Sequence, residues 1–199
     1  MRTPHIWLRA ETKPHEERTA LTPNNAKALI DAGFSITIES SEQSIFEDEE
    51  YIKAGCELRQ AGEWKQAPSD AFVLGLKELP EDTFPLSHNH IYFAHAYKEQ
   101  QGWQALLQRF VTGKGALFDL EYLLNDQGRR IAAFGYWAGY AGAALGLKSW
   151  LLKKLKLPQL NQVKSYANKQ ALVSDLAPLL AQLDTKPKLM IIGAKGRSG

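Results

Sequence analysis

From Ala71 to Leu76 the chain reads Ala-Phe-Val-Leu-Gly-Leu, an unbroken apolar run held between Asp70 and Lys77. Such a run is expected of a strand covered on both faces, which occurs where helices pack on each side of a parallel sheet. Ile91–Ala94 repeats the pattern, and Ser35–Glu39 alternates with period two; His5–Ala10, Ala116–Leu120 and Arg130–Ala133 complete the first set of strand candidates. Helical segments fall between them. Thr22-Pro23 supplies an N-cap with proline at the first helical position, and Gly33 the stop. Glu47–Ala54 is a short helix ended by Gly55, and Gln101–Val111 is an amphipathic one. This alternation predicts an α/β fold, a Rossmann-like, mainly parallel sheet flanked by helices.

Beyond that unit the pattern changes. Gly135–Lys154 predicts a long linking helix, with Gly135, Gly139, Gly142 and Gly146 on one face, where another backbone or a flat ligand could come close. Leu157–Ser165 reads as a linker, and Asn168–Leu183 as a second helix disturbed at Pro178. Lys188–Ile192 then has the pattern of a buried strand and runs into Gly193-Ala-Lys-Gly-Arg-Ser-Gly199. A strand followed by glycines is how a dinucleotide-binding unit begins, because glycine permits the tight turn and lets main-chain N–H groups approach a pyrophosphate. The expected organisation is a substrate-binding and catalytic domain over 1–134, linking helices over 135–186, and over 187–199 the first strand and glycine-rich loop of a truncated nucleotide domain. The 199 residues are therefore expected to be the first part of a longer dehydrogenase.

Composition removes other classes. With 24 basic and 22 acidic residues the net charge is +2, which gives no reason to expect nucleic acid as a partner. The single cysteine, Cys56, excludes a disulfide framework within the chain and fits a reducing, cytoplasmic compartment. The uncharged stretch Ile131–Leu147 has 17 residues and four glycines, so a buried helix is expected there rather than a membrane span. No metal site is expected.

Three polar clusters carry the candidate chemistry. Arg9 to Arg18 follows the first strand, and its Lys13 and Arg18 could hold carboxylates, arginine through a planar two-point contact. Lys77 and Glu78 follow the buried Ala71–Leu76 strand, and ligands in open parallel sheets bind at strand ends. His95 lies at the end of the next strand, with Lys98 close behind; a histidine there needs little tuning to exchange protons at neutral pH. Glu121, Asp126 and Arg129-Arg130 form a further polar group before the glycine-striped helix. Each cluster has a plainer reading as a solvated surface or a structural residue.

Four stretches also carry a resemblance: LRAETKPHEERTALTP (8–23), GLKELPEDTFPL (75–86), IYFAHAYKEQQGWQ (91–104) and NDQGRRIAAFGYWAGYAGAALG (125–146). They resemble the N-terminal portion of the lysine-forming saccharopine dehydrogenase family, and the final IIGAKGRSG resembles the start of its nucleotide domain. The resemblance implies oxidation of saccharopine by NAD to L-lysine and 2-oxoglutarate, in lysine metabolism by the alpha-aminoadipate route. It implies Lys77 and His95 as the proton-transfer residues. It implies substrate contacts from Arg18, Arg130, Lys13, Lys98, Gln100 and Phe134, and acidic tuning by Glu78, Glu121 and Glu16. Cofactor contacts would come from Gly193, Gly196, Arg197, Ser198 and Gly199. The expected partner is a small molecule, saccharopine or lysine and 2-oxoglutarate, with no nucleic acid or membrane and with the C-terminal half of the enzyme missing. The chain alone is then expected to be inactive. Alternatives are an alanine dehydrogenase-like oxidoreductase, which shares the K-P…E-x-R-x-x-L-T-P loop, and a non-catalytic substrate-binding module.

Overall fold

The computed structural model of the chain describes residues 3–196 and Ser198. It divides into two compact units, Met1–Ala132 and Ala133–Gly199.

The first unit is built on six strands, β1 (His5–Leu8), β2 (Ser35–Glu39), β3 (Glu57–Arg59), β4 (Phe72–Leu74), β5 (Asn89–Tyr92) and β6 (Ala116–Asp119). All pairs are parallel and the order is β3-β2-β1-β4-β5-β6. The order reverses between β1 and β4, which makes the crevice above their carboxyl ends the expected ligand position. Adjacent side chains of β1 serve opposite faces. Trp7 joins Val73, Leu86, Tyr92 and Phe110 of helix α3 (Trp103–Gly113), while Leu8 joins Ile36, Ile38, Ala26 of α1 (Pro23–Asp31) and Tyr51 of α2 (Asp48–Ala54). The continuous apolar strands have helices on both sides to cover them, as expected.

The helix ends follow their local chemistry. The Thr22 hydroxyl accepts from the Asn25 N–H at 3.3 Å with Pro23 opening α1. Glu47 and Glu50 form a reciprocal capping box on α2, and Gly55 closes it at φ +97°, a conformation that favours glycine.

Several expectations change. Arg130–Ala133 is not a strand: Arg130 makes only an isolated antiparallel bridge to Leu124, across a turn in which the Asn125 side chain accepts from Gln127 and Arg129 N–H. The strand expected at Ile91–Ala94 begins earlier, at Asn89, because the ladder to β4 and β6 runs through the polar Asn89 and His90. β3 has no counterpart among the expected strands; it is a three-residue edge strand with Glu57 and Arg59 exposed, so it carries no apolar periodicity.

In the second unit, α4 (Tyr136–Lys154) packs on α5 (Lys169–Leu180) through Leu151, Leu172 and Leu176. Lys148 adds bonds to Asp175 at 2.5 Å and to the Tyr166 hydroxyl at 3.0 Å. Pro178 lies inside α5 without ending it. Gly142 and Gly146 face open space, so no described residue uses that stretch of the glycine stripe as a packing surface. Lys188–Ile192 is not a strand, and Met190 and Ile192 are 88% and 93% exposed. A parallel strand needs a neighbour for its N–H and C=O groups, and no described residue provides one to this segment. No helix among the described residues is long and apolar enough to cross a membrane.

His90 is fully buried at the centre of β5, edge-on to Trp64 and Phe110, and neither ring nitrogen has a hydrogen-bond partner. Burial first, then the nearby His88, Arg9 and Arg109, pushes it from 6.5 down to about 3. The unfolded chain therefore takes up this proton below pH 6.5 while the folded one does not. Stability should fall as pH drops from 6.5 toward 3, by at most about 1.4 kcal/mol per pH unit from this group. Urea unfolding across that window should show the slope, and His90→Phe should flatten it.

Candidate active site

The loops after β1, β4, β5 and β6 all leave the carboxyl edge of the sheet, and they carry the charged residues. The loop after β1 is held by Gln43, whose side-chain N–H groups donate to the carbonyls of Glu11 at 2.8 Å and Glu16 at 3.0 Å. Glu39, buried at the end of β2, accepts from the N–H of Ala10 at 2.9 Å and of Trp64 at 2.6 Å, and from the Trp7 indole at 3.2 Å. Its carboxylate ends an otherwise apolar-alternating strand, the one signal in the sequence that could have marked it.

Two buried carboxylates organise the cations. Glu16 is gripped by Arg18, whose Nε and Nη2 donate at 2.6 and 2.5 Å, and lies 3.7 Å from Lys77 Nζ. Burial acts to raise the Glu16 carboxyl, but the hydrogen bonds from Arg18 and the charges of Arg18 and Lys77 outweigh it and hold the group below its usual range. Beside it, Lys13 Nζ reaches Glu78 at 3.3 Å, a largely exposed pair. Burial tends to raise Glu78 too; its own N–H, Lys13 and the charge of Lys77 lower it overall.

Glu121 is the second centre. It sits in a tight turn after β6, where the Asp119 carboxylate accepts from its N–H at 3.0 Å. It bonds Lys98 and accepts from Arg130 Nη2 at 2.7 Å, and His95 Nδ1 is 3.9 Å away. The Lys98 bond is the main cause holding its carboxyl below the usual range, against burial, with Arg130, Lys98 and His95 adding charge. His95 has φ +52°, a strained conformation for a non-glycine residue that costs about 1–3 kcal/mol. Its ring stacks on Phe93, with centroids 6.2 Å apart.

The two groups sit on neighbouring strand ends. The β4–β5 ladder pairs Leu74 with Ile91 and continues through Gly75 N–H to Ile91 O and Phe93 N–H to Leu76 O. His95, Gln100 and Glu78 line one cleft of about 610 Å³ with Trp103 and Arg109, and Lys77 is not part of that lining. Phe134 belongs to the second unit, where it is 59% exposed. Gly193, Gly196 and Ser198 are in that unit too; Arg197 and Gly199 lie outside the described residues. Gly193 has φ +78° and its carbonyl accepts from Gly196 N–H at 2.8 Å, a glycine turn with no strand before it or helix after it among the described residues.

Residues 7–141 match the family described as alanine dehydrogenase/PNT, N-terminal domain. The chain belongs to this family. Members of the alanine dehydrogenase/PNT N-terminal family with solved structures share its fold: an L-alanine dehydrogenase superposes with a TM-score of 0.57 at 18% identity, covering 76% of this chain and 42% of that one. A transhydrogenase from Sinorhizobium meliloti gives 0.53 at 18%, covering 75% and 41%. Sequence similarity is far higher to the saccharopine dehydrogenase [NAD(+), L-lysine-forming] of Emericella nidulans, 54% identical over 98% of this chain and 54% of that protein. The Schizosaccharomyces pombe protein of the same name is 49% identical over 100% and 56%. The mitochondrial alpha-aminoadipic semialdehyde synthase of Rattus norvegicus is 30% identical over 67% of this chain and 14% of its own length. The chain thus spans about half the length of the curated saccharopine dehydrogenases it matches.

Because Glu16, Glu78 and Glu121 are all held low, their contribution to stability is complete above about pH 4.5 and is lost as pH falls through their folded-state values. Stability should therefore fall more steeply below 4.5 than between 6.5 and 4.5. Glu121→Gln should remove part of that steeper limb in urea titrations and leave the His90-dependent fall in place.

Proposed function

We propose that the chain is the substrate-binding and proton-handling part of an NAD-dependent saccharopine dehydrogenase of the lysine-forming kind, acting in lysine metabolism in the cytoplasm. The observation that carries this reading is the grouping of Lys77 and Arg18 around Glu16, and of His95, Lys98 and Arg130 around Glu121, on loops at one edge of the sheet. The 54% identity to a protein of that name supports it.

Saccharopine is a secondary amine bearing several carboxylates, and the cations of these loops suit it. Arg18 and Arg130 bind substrate carboxylates, with Lys13, Lys98 and Gln100 completing the polar surround; Glu16, Glu78 and Glu121 set the balance of charge. As the C–H bond beside the amine breaks and a C=N bond forms, Lys77 takes the amine proton. His95 removes a proton from water as its oxygen adds to the imine carbon. His95 returns that proton to the nitrogen, giving the carbinolamine; in the collapse the carbon–nitrogen bond breaks, the hydroxyl becomes a carbonyl, and the hydroxyl proton passes by way of His95 to the departing amine, so both protons of the water leave on lysine and 2-oxoglutarate remains. NAD supplies the acceptor for the hydride. The chain spans about half the length of the saccharopine dehydrogenases it matches, and the glycines at Gly193 and Gly196 are the ones this reading would place beside NAD.

In the full-length enzyme, saccharopine with NAD should produce NADH and alanine with NAD should produce none; the opposite result assigns the chain to alanine oxidation. Lys77→Met should lower kcat about 10²–10⁴-fold. Arg18→Ala or Arg130→Ala should instead raise the KM for saccharopine, about 10–100-fold for loss of one charge-assisted contact. An unchanged rate and pH–rate profile in Lys77→Met would remove it as the base. The 199-residue chain alone should form no NADH from saccharopine, and spectrophotometry at 340 nm decides that directly.

A further inference from the structure

Arg9 and Glu11 take no part in the scheme above, yet both are charged and buried, 3% and 9% exposed. Arg9 also donates to the Ala10 carbonyl and lies over the Tyr92 ring, but the two residues share main-chain partners in one segment. Glu11 accepts from Leu76 N–H through Oε1 at 2.6 Å and from Lys77 N–H through Oε2 at 3.0 Å. Arg9 Nη2 donates to the Lys77 carbonyl, and Arg9 Nη1 lies 3.6 Å from Glu11 Oε1. Both main-chain hydrogen-bonding groups of Lys77 are thus held by one ion pair from the loop after β1.

The need for such a pair follows from the sheet. The β1–β4 ladder stops at Arg9 N–H to Leu74 O, just where β1 leaves the sheet. The N–H groups of Leu76 and Lys77 lie beyond it, and the Glu11 carboxylate takes the place of the missing strand. Gly75 makes room for the guanidinium: a Cβ there would lie 2.4 Å from Arg9 Nε and 2.5 Å from Cζ. The pair is tied to the rest of the loop through Gln43, which donates to the Glu11 carbonyl.

We infer that Arg9 and Glu11 are positioning residues for Lys77, fixing the backbone from which its amine reaches toward Glu16. A lysine side chain is a flexible four-carbon stem, so where its amine reaches depends on how firmly its root is held. Proton transfer is steeply sensitive to placement, and a 1 Å error can cost about 10²-fold in rate. Replacing one partner of a buried pair leaves the other charge uncompensated, so the variants have to preserve shape. This inference rests on the reading of Lys77 as the proton acceptor.

Glu11→Gln keeps the volume and one of the two acceptor oxygens. On the 199-residue chain, amide hydrogen exchange should accelerate at Leu76 and Lys77 at least about tenfold, while Trp7 and Val73 in the strand interiors hold their rates. In the full-length enzyme kcat should fall about tenfold or more with the saccharopine KM within about twofold. Gly75→Ala, which displaces Arg9 by its bulk, should give the same division between kcat and KM. Faster exchange at all four amides together, with kcat unchanged, would make the pair a structural support only and overturn the inference. If Lys77→Met itself leaves kcat unchanged, the functional reading falls; if Lys77→Met abolishes turnover while Glu11→Gln keeps full kcat, the positioning role alone falls.

Discussion

The structure depends on β1 being paired on both sides. Four residues, His5–Leu8, run parallel to β2 and to β4, and from that pairing the six strands inherit one direction. Every loop leaving a strand at its carboxyl end therefore opens on the same edge, with the reversal of strand order between β1 and β4 beneath it. Segments about 120 residues apart in the chain, from Arg9 to Arg130, come to share that edge. Their polarity is tolerated because the burial that stabilises the unit lies below them, in the two apolar layers that Trp7 and Leu8 begin.

Charge at this edge is arranged around acids rather than bases. Glu16 and Glu121 are both largely withdrawn from water, and each is surrounded by cations that hold it ionised. A buried carboxylate without such partners would be costly, and the partners without the carboxylate would repel one another. The cations are thus kept close together and fixed in direction before any ligand arrives, an arrangement that favours a substrate carrying several carboxylates. Glu11 and Glu39 use the same chemistry for a different purpose: their oxygens accept from main-chain N–H groups where the ladder of strands gives out. Four buried glutamates therefore divide between binding side chains and holding backbone.

Much of the first unit was legible because its signals are local. Thr22-Pro23 and Gly55 act within a turn of their helices, and apolar runs such as Ala71–Leu76 require cover whatever surrounds them. The misreadings occur where pairing decides. Asn89 and His90 belong to a strand because β4 and β6 flank them, although neither is apolar. Glu57–Arg59 is a strand because Thr37–Glu39 offers it hydrogen bonds. Arg130–Ala133 meets only the short Leu123–Leu124 stretch across its own turn, and Lys188–Ile192 has no neighbour among the described residues to pair with. In the site, Lys77, His95, Arg18 and Arg130 could be picked out by residue type at strand and loop ends. The role of Glu11 could not, since an acid in a charged loop looks the same whether it faces solvent or two N–H groups.

What the sequence determined by itself was the class of fold, the boundaries of the capped helices and the residue types available at the strand ends, all set by interactions within a few residues. Tertiary structure alone decided which cation meets which acid, that Glu121 gathers Lys98, Arg130 and His95, and that Arg9 lies against Gly75. It also decided that Lys77 borders Glu16 while His95 lines a cleft with Glu78 and Gln100. Such contacts join residues up to 68 positions apart, and their geometry comes from the register of parallel strands, a property of hydrogen bonds between segments that no single segment encodes.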